Sequence, residues 1–479
     1  MATSNRLFKL TPLALLLVLG ACSMAPTLKL PEVPTAANFK EAAPWVAGKP
    51  ADAIARDAWW TLYGDAELND LQQRLIKNSP DLAAALARYS QARAIDDSLH
   101  SGLFPTVNAT GGAQRIRQSE TAPLRVLGPN SPNEYNANTL GLSASYELDL
   151  WGRVRNTVDA GDATRQAAQA DLQSARLSLQ AQLADNYIAL RGLDRQLSLL
   201  SDTASAYDKA LELTQSRYKG GVSSGLDVAR AKTQAETTRS QYQQVMAQRA
   251  VLEHAIAALV GESASSFTIG PRKVALALPD VPVDVPSTLL QRRPDIAAAQ
   301  RRVVAANANV GVARSAFFPS VTLGGTLGYA SKNFGNFISA PNTVWSIGPS
   351  AVLALFDAGR RDAEVKRTQG VLDETGAVYR GVVLGAFAQV EDNLALLKHY
   401  RDAAESQQAA VVAAQDALDH SNERYHEGAV NYLDVVVSQT TSLQAQRDLL
   451  DLETRQRRAS VQLIRALGGG WSTGDLSAD

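Results

Sequence analysis

Two periodicities divide the chain. Leu140, Leu142, Ala144, Tyr146, Leu148 and Leu150 alternate with Gly141, Ser143, Ser145, Glu147 and Asp149. Val321, Leu323, Gly325, Leu327 and Tyr329 alternate in the same way with Thr322, Gly324, Thr326 and Gly328. A period of two sends successive side chains to opposite faces, so both segments are predicted strands with one apolar and one small polar face. Val107, Ala109, Gly111 and Ala113 give a weaker third strand. Trp345, Ile347, Pro349, Ala351, Leu353 and Leu355 give a fourth, which Pro349 is expected to disturb.

Helical patterning fills the rest. None of the 19 prolines falls in 133–270 or in 350–479. Between about Asn156 and Tyr218 the only glycines are Gly161 and Gly192. A continuous helix there would extend on the order of 90 Å. Leu172, Ala175, Leu179, Leu183, Asn186 and Leu190 recur in steps of three and four, a coiled-coil-like stripe. Glycines between Gly220 and Gly225 end it, and a second helix is predicted over Leu226–Leu259. The plan recurs as a helix over Arg361–Tyr425, a break at Gly428 and a helix over Tyr432–Leu467.

That recurrence is a tandem duplication. Pro80-Asp81-Leu82-Ala83-Ala84-Ala85 returns as Pro294-Asp295-Ile296-Ala297-Ala298-Ala299. Phe104-Pro105 returns as Phe318-Pro319, where helix is expected to pass into strand, and Gly152-Arg153 returns as Gly359-Arg360. Arg217-Tyr218-x-x-Gly221 matches Arg424-Tyr425-x-x-Gly428, Leu226-Asp227-Val228 matches Leu433-Asp434-Val435, and Gly261 matches Gly468. Each copy therefore ends in a long helical hairpin with the same residues at its tip.

Residues 1–21 have the pattern of an export signal. Arg6 and Lys9 precede an apolar stretch from Leu10 to Leu19 that is too short to span a bilayer. The string Leu19-Gly20-Ala21-Cys22 resembles a bacterial lipobox, in which the cysteine takes a lipid and becomes the new N-terminus. Cys22 is the chain's single cysteine, which excludes an intramolecular disulfide framework. Ser23 follows it, as in lipoproteins sorted to the outer membrane.

Composition narrows the function. Of 479 residues, 47 are Lys or Arg and 48 are Asp or Glu, so no basic excess points to nucleic acid. The five histidines are scattered without metal-ligand spacing, and no phosphate-binding loop is present. An enzyme is not expected, and no cofactor beyond a covalent lipid on Cys22. The alternating strands fit either a soluble sheet packed on helices or a membrane β-barrel, apolar toward lipid and polar toward a lumen. Four strands cannot close a membrane barrel alone, and open edges are not tolerated in lipid. In the membrane reading several chains must share one barrel, and the residues do not choose between two, three or four.

The chain resembles the outer-membrane factor family, the TolC/OprM-like channels of tripartite efflux systems, in its lipoprotein branch. The strings that carry the resemblance are Trp59-Trp60, Glu147-Leu148-Asp149-Leu150-Trp151-Gly152-Arg153, Leu290-Gln291-Arg292-Arg293-Pro294-Asp295-Ile296, Ala316-Phe317-Phe318-Pro319-Ser320 and Leu467-Gly468-Gly469-Gly470-Trp471. It implies a mixed α/β membrane protein: a homotrimer with a twelve-stranded outer-membrane β-barrel, four strands per chain, continuous with a long periplasmic α-helical coiled-coil barrel. The expected organisation is a signal peptide (1–21), a lipidated segment (22–64), a first repeat (65–270), a linker (271–286), a second repeat (287–470) and a tail (471–479). The implied function is a passive exit duct for drugs or other small toxic compounds. A periplasmic adaptor and an inner-membrane pump of the resistance-nodulation-division type are the implied partners. A duct for type I protein secretion shares the fold, and a structural coiled-coil lipoprotein without a pore is the reading from another class.

By resemblance, the periplasmic helix tips form the constriction. The matching residues are Asp227 and Asp434, and a ring of such carboxylates favours cations. Each aspartate follows a turn, so a helix N-cap is the plainer alternative. Where the family often has a second acid, this chain has Arg230 and Val437, which suggests an apolar constriction at Val436 or Val437. Arg217, Tyr218, Arg424 and Tyr425 match positions that hold the tips shut. Gly220, Gly221, Gly225 and Gly428 are expected in the tip turns and at the adaptor contact. Trp151 and Trp345 are candidates for the membrane interface or for packing.

Overall fold

The computed structural model describes residues 23–33, 38–41, 58–119, 133–279 and 292–471. The export signal, Cys22, residues 280–286 of the expected linker and residues 472–479 of the tail lie outside them. In chain order the described elements are α1 (Ala66–Asn78), α2 (Pro80–His100), β1 (Thr106–Arg117), β2 (Glu134–Leu148), α3 (Arg153–Lys219), α4 (Gly225–Leu259), α5 (Pro294–Ser315), β3 (Ser320–Ser331), β4 (Thr343–Val352), α6 (Arg360–His426) and α7 (Tyr432–Ala466), with short 3-10 turns between some of them. The expected helices α3, α4, α6 and α7 end within three residues of these limits. Among the described residues no helix is long and apolar enough to cross a membrane.

The chain divides into two units. The first comprises Ser90–Ala167 and Ala299–Tyr379 with the described part of Met1–Pro31. Its centre is an antiparallel sheet in the order β1-β2-β3-β4. The register lines up the apolar positions of all four strands: Ala109 faces Leu142, Leu142 faces Leu327, and Leu327 faces Trp345. The rows on either side are Gly111–Leu140–Tyr329–Thr343 and Val107–Ala144–Gly325–Ile347. Directly opposed residues share a face, so one face is apolar across the sheet and the other carries Asn108, Ser143, Thr326 and Ser346. Leu140, Leu142, Leu327, Trp345 and Ile347 are all exposed. Among the described residues β1 and β4 each pair on one side only, leaving two open edges.

Two expectations for the sheet are corrected. Pro349 does not interrupt β4: it stays in register opposite Leu323, as a proline does on an edge strand. Leu150, Leu353 and Leu355 fall beyond the strand ends. Asp149 instead caps α3, accepting from the backbone N–H of Val154 and Arg155 at 3.1 and 2.8 Å. Trp151 is packed, stacked on Phe318 with ring centroids 4.7 Å apart, and its indole donates to the Pro319 carbonyl.

The second unit comprises Glu32–Tyr89, Ala168–Ala298 and the chain from Arg380 onward. Its core gathers Trp59, Trp60 and Tyr63 with Leu68, Leu71 and Leu75 of α1, Leu183, Tyr187 and Leu190 of α3, and apolar residues of α4, α6 and α7. The stripe on α3 is broader than predicted: Tyr187 and Ile188, not Asn186, are the fully buried residues in that turn. Repeat-related glycines share a conformation, with positive φ at Gly152 and Gly359, Gly221 and Gly428, and Gly261 and Gly468. In the last pair the backbones come so close that a Cβ on Gly261 would run into the Asn78 carbonyl, and one on Gly468 into the Arg292 carbonyl. Each repeat thus closes its end against its own beginning.

Candidate functional site

Two hairpin tips in the second unit bring the predicted residues together. α3 ends in a pair of bonds that satisfy its last carbonyls: Gly221 N–H donates to Tyr218 O at 3.0 Å and Val222 N–H to Arg217 O at 2.9 Å. α6 ends in the same way, with Gly428 N–H on Tyr425 O at 3.1 Å and Ala429 N–H on Arg424 O at 2.8 Å. This is a Schellman termination, which requires a left-handed residue; Gly221 at φ 75° and Gly428 at φ 78° supply it. Gly220 and Gly225 do not take that conformation; Gly225 starts α4 beneath the Tyr218 ring.

The returning helices are capped by residues that the motif comparison passed over. Ser224 caps α4, accepting from the Asp227 N–H, and Asn431 caps α7, accepting from the Leu433 N–H at 2.9 Å. The N-cap alternative for the two aspartates is therefore corrected by one turn: each is the third residue of its helix. The two then diverge. The Asp227 carboxylate closes a capping box, accepting from the Ser224 N–H at 3.1 Å, the Ser224 hydroxyl at 2.8 Å and the Ser223 hydroxyl at 3.2 Å. Arg230 stands 3.8 Å away. Partial burial alone would raise the Asp227 pKa, but the bonds from Ser224 and Ser223 and the Arg230 charge hold it below the usual value. Asp434 is exposed, and among the described residues its carboxylate has no hydrogen bond or ion pair.

The four residues matched to gate-locking positions split into one pair and two single side chains. Arg217 of the first repeat lies over the Tyr425 ring of the second, its guanidinium carbon 4.7 Å from the ring centroid. The same guanidinium donates to the carbonyls of Tyr425 at 3.2 Å and His426 at 3.4 Å, so one arginine ties the two tips at three points. Tyr218 and Arg424 stand exposed, and the Arg424 side chain has no partner among the described residues.

Tyr425 in turn packs on Tyr432, with centroids 5.3 Å apart. Tyr432 is buried with Ala231 and Val435, and burial, with lesser contributions from its neighbours, pushes its phenol up to about 12. Val436 packs against this small core and is partly buried, whereas Val437 is exposed. Below the tips, the Tyr207 hydroxyl donates to the Gln439 carbonyl and the Gln234 amide to the Thr440 hydroxyl, adding links between the two hairpins.

Cys22 lies outside the described residues, but the segment that follows it is seated in the first unit. The Ser23 hydroxyl donates to Asn156 Oδ1 at 2.8 Å, and the Asn307 side chain donates to the Pro26 carbonyl at 2.9 Å. A Cβ on Gly311 would come within 2.8 Å of the Ala25 nitrogen, so glycine makes room for the segment. Asn156 is one turn into α3 and Gly311 one turn from the end of α5, close to where helix gives way to strand. No sequence motif marked Asn156, Asn307 or Gly311.

The family model described as "Outer membrane efflux protein" matches residues 71–262 and 285–469. The antibiotic efflux pump outer membrane protein ArpC of Pseudomonas putida is 33% identical over 459 residues, covering 95% of this chain and 94% of that protein. Outer membrane protein OprJ of Pseudomonas aeruginosa is 31% identical over 470 residues, covering 98% and 97%. The solved structure of the outer-membrane channel OprN superposes with a TM-score of 0.87 at 30% identity, covering 94% of this chain and all of that one.

Proposed function

The chain belongs to the outer membrane efflux protein family, and from that premise we propose a gated duct whose moving part is the pair of hairpin tips. The protein is an outer-membrane channel that serves as the exit of an efflux pump. Three copies, joined β4 to β1, would pair both open edges and close a barrel of twelve strands, with the apolar face toward lipid and the Asn, Ser and Thr face toward water. The long helices continue from the strand ends as the periplasmic part of the duct. Cys22 carries the lipid, and the seat formed by Asn156, Asn307 and Gly311 holds the chain just after it. The cargo class is drugs or other small toxic compounds; ArpC, a relative, is named for antibiotics. The partners are a periplasmic adaptor, met at the exposed tip residues around Gly221 and Gly428, and a proton-driven inner-membrane pump. The duct itself is passive.

The observation that carries the gating reading is the Arg217–Tyr425 link together with the free carboxylate of Asp434. The link holds the two hairpins of one chain together, and adaptor docking would release it. Three copies of Asp434 around the axis form an acidic ring whose charges are not engaged elsewhere. Single-channel conductance of the purified lipoprotein in planar bilayers tests this. Wild type should pass small cation-selective currents, and Asp434→Ala should change their size or selectivity. Currents indifferent to the substitution remove Asp434 from the constriction, and no currents from well-folded trimers overturn the duct.

A further inference from the structure

Between β3 and β4 the chain forms a short loop at the end of the sheet away from the helices, and this loop is built to display bare apolar side chains. Asn342 organises it: one side-chain amide donates to the Asn336 carbonyl at 3.0 Å, the Phe337 carbonyl at 3.0 Å and the Ser339 hydroxyl at 3.1 Å. Backbone bonds from Phe337 to Phe334 O and from Asn342 to Ser339 O close the turn, and Asn336 takes a left-handed conformation at φ 54°. Such a loop is ordered without any core of its own. Yet Phe334 is 72% exposed and Ile338 67% exposed. Organised exposure of this kind marks a contact surface.

The direction of the loop identifies the contact. Phe337 packs on Tyr329, centroids 6.4 Å apart, and Phe334 packs on Phe337 at 6.2 Å. Tyr329 lies in the row Gly111–Leu140–Tyr329–Thr343, on the apolar face of the sheet and not on the Ser/Thr face. The chain of rings therefore continues the apolar face past the last strand residue.

We propose that Phe334, Phe337 and Ile338 insert into the outer leaflet of the membrane at its boundary with the headgroups, as an anchor that fixes the depth of the barrel. This rests on the reading of the apolar sheet face as the lipid-facing wall. The partner is a lipid surface: the patch is continuous with the lipid-facing wall, the one charged residue of the loop is the exposed Lys332, a cation suited to headgroup phosphates, and aromatic rings favour that boundary.

The experiment labels single cysteines introduced by Phe334→Cys, Leu327→Cys and Thr326→Cys with bimane in the full-length protein reconstituted into vesicles, using wild type carried through the same labelling as the blank. Quenching by lipids bearing a nitroxide near the headgroup is compared with quenching by aqueous iodide. Residue 334 is 72% exposed and lies outside the strands, so its label leaves the pairing of the sheet intact. The expected result is that the label at 334 loses most of its emission to the shallow nitroxide and little to iodide. The label at 327 should behave as lipid-facing and the label at 326 as water-facing. Iodide quenching at 334 with the expected pattern at 327 and 326 overturns the anchor and places the loop over the aqueous mouth or against a second copy. Iodide quenching at 327 as well overturns the barrel reading itself.

Discussion

Asp227 and Asp434 occupy the same position in the two repeats, but the first is locked into a capping box by Ser223 and Ser224 while the second projects unpaired. The divergence follows from the cap residue. Serine at 224 offers a hydroxyl that both accepts from Asp227 and donates to it, whereas asparagine at 431 bonds to Leu433 and leaves Asp434 alone. The prediction is a separation of effects. Asp434→Asn should alter ion selectivity and leave the tips as well ordered as before. Asp227→Asn should loosen the start of α4 by about 1 kcal/mol, the usual cost of losing a cap. Hydrogen exchange across residues 222–230, set beside bilayer selectivity, distinguishes the two. Equal selectivity changes from both substitutions would contradict the asymmetry.

The same capping box has a pH signature. Because the folded Asp227 pKa is lowered from 3.8, the group stabilises the tip fully at neutral pH. That contribution is lost only as the pH falls below 3.8 and through the depressed value. Exchange at the start of α4 should therefore be insensitive to pH between 5 and 8, once corrected for the intrinsic rate, and should rise below about 3.8. In Asp227→Asn that rise should be missing.

Arg217 ties three groups on the partner hairpin. Arg217→Ala removes a cation–π contact and two bonds to carbonyls, the contact alone being about 0.5–1 kcal/mol at an exposed site. Open events should become longer or more frequent in single-channel records. Arg217→Lys keeps a cation over Tyr425 but lacks the fork that reaches both carbonyls, so it should fall between wild type and alanine. Unchanged gating in Arg217→Ala would show that the tips are held elsewhere, for instance at Tyr207 and Gln439.

Much of this architecture was legible in the sequence because its causes are local. Strand alternation, proline-free helices and tip glycines each follow from neighbours a few residues apart, and duplication doubled every signal. The Arg217–Tyr425 pair was legible as residue types but not as a pair, since nothing local says that Arg217 of one repeat meets Tyr425 of the other while Arg424 and Tyr218 stay apart. Contacts between distant segments left no trace. Asn156 and Asn307 receive a segment more than a hundred residues away. Glu391 holds the backbone N–H groups of Lys40 and Glu41 across some 350 residues, and no motif announces that clamp.

The clearest hidden feature is the ion cluster around Asp194. Its carboxylate accepts from Arg191 at 2.5 Å, from Arg249 at 2.7 Å and from the Arg272 N–H at 3.1 Å, with both side-chain partners almost fully buried. The same arginines reach the carbonyls of Gly270 and Ile269, so the cluster ties α3 and α4 to the chain that leaves the first repeat. Asp194→Asn keeps the shape but removes the one charge shared by two buried cations. Breaking a buried pair costs about 3–5 kcal/mol where the cation is left uncompensated, and less here because Glu67 still faces Arg191 and Glu253 still faces Arg249. The variant should lower the melting temperature and the yield of folded protein far more than Asp434→Asn, whose side chain has no hydrogen bond or ion pair among the described residues. Glu67 still pairs with Arg191, so residual folding is expected, and thermal unfolding of the two purified variants side by side gives the comparison. A melting temperature for Asp194→Asn equal to that of wild type would mean that Glu67, Glu253 and the backbone carbonyls already satisfy Arg191 and Arg249, and that the cluster sets register between the helices instead of stabilising them.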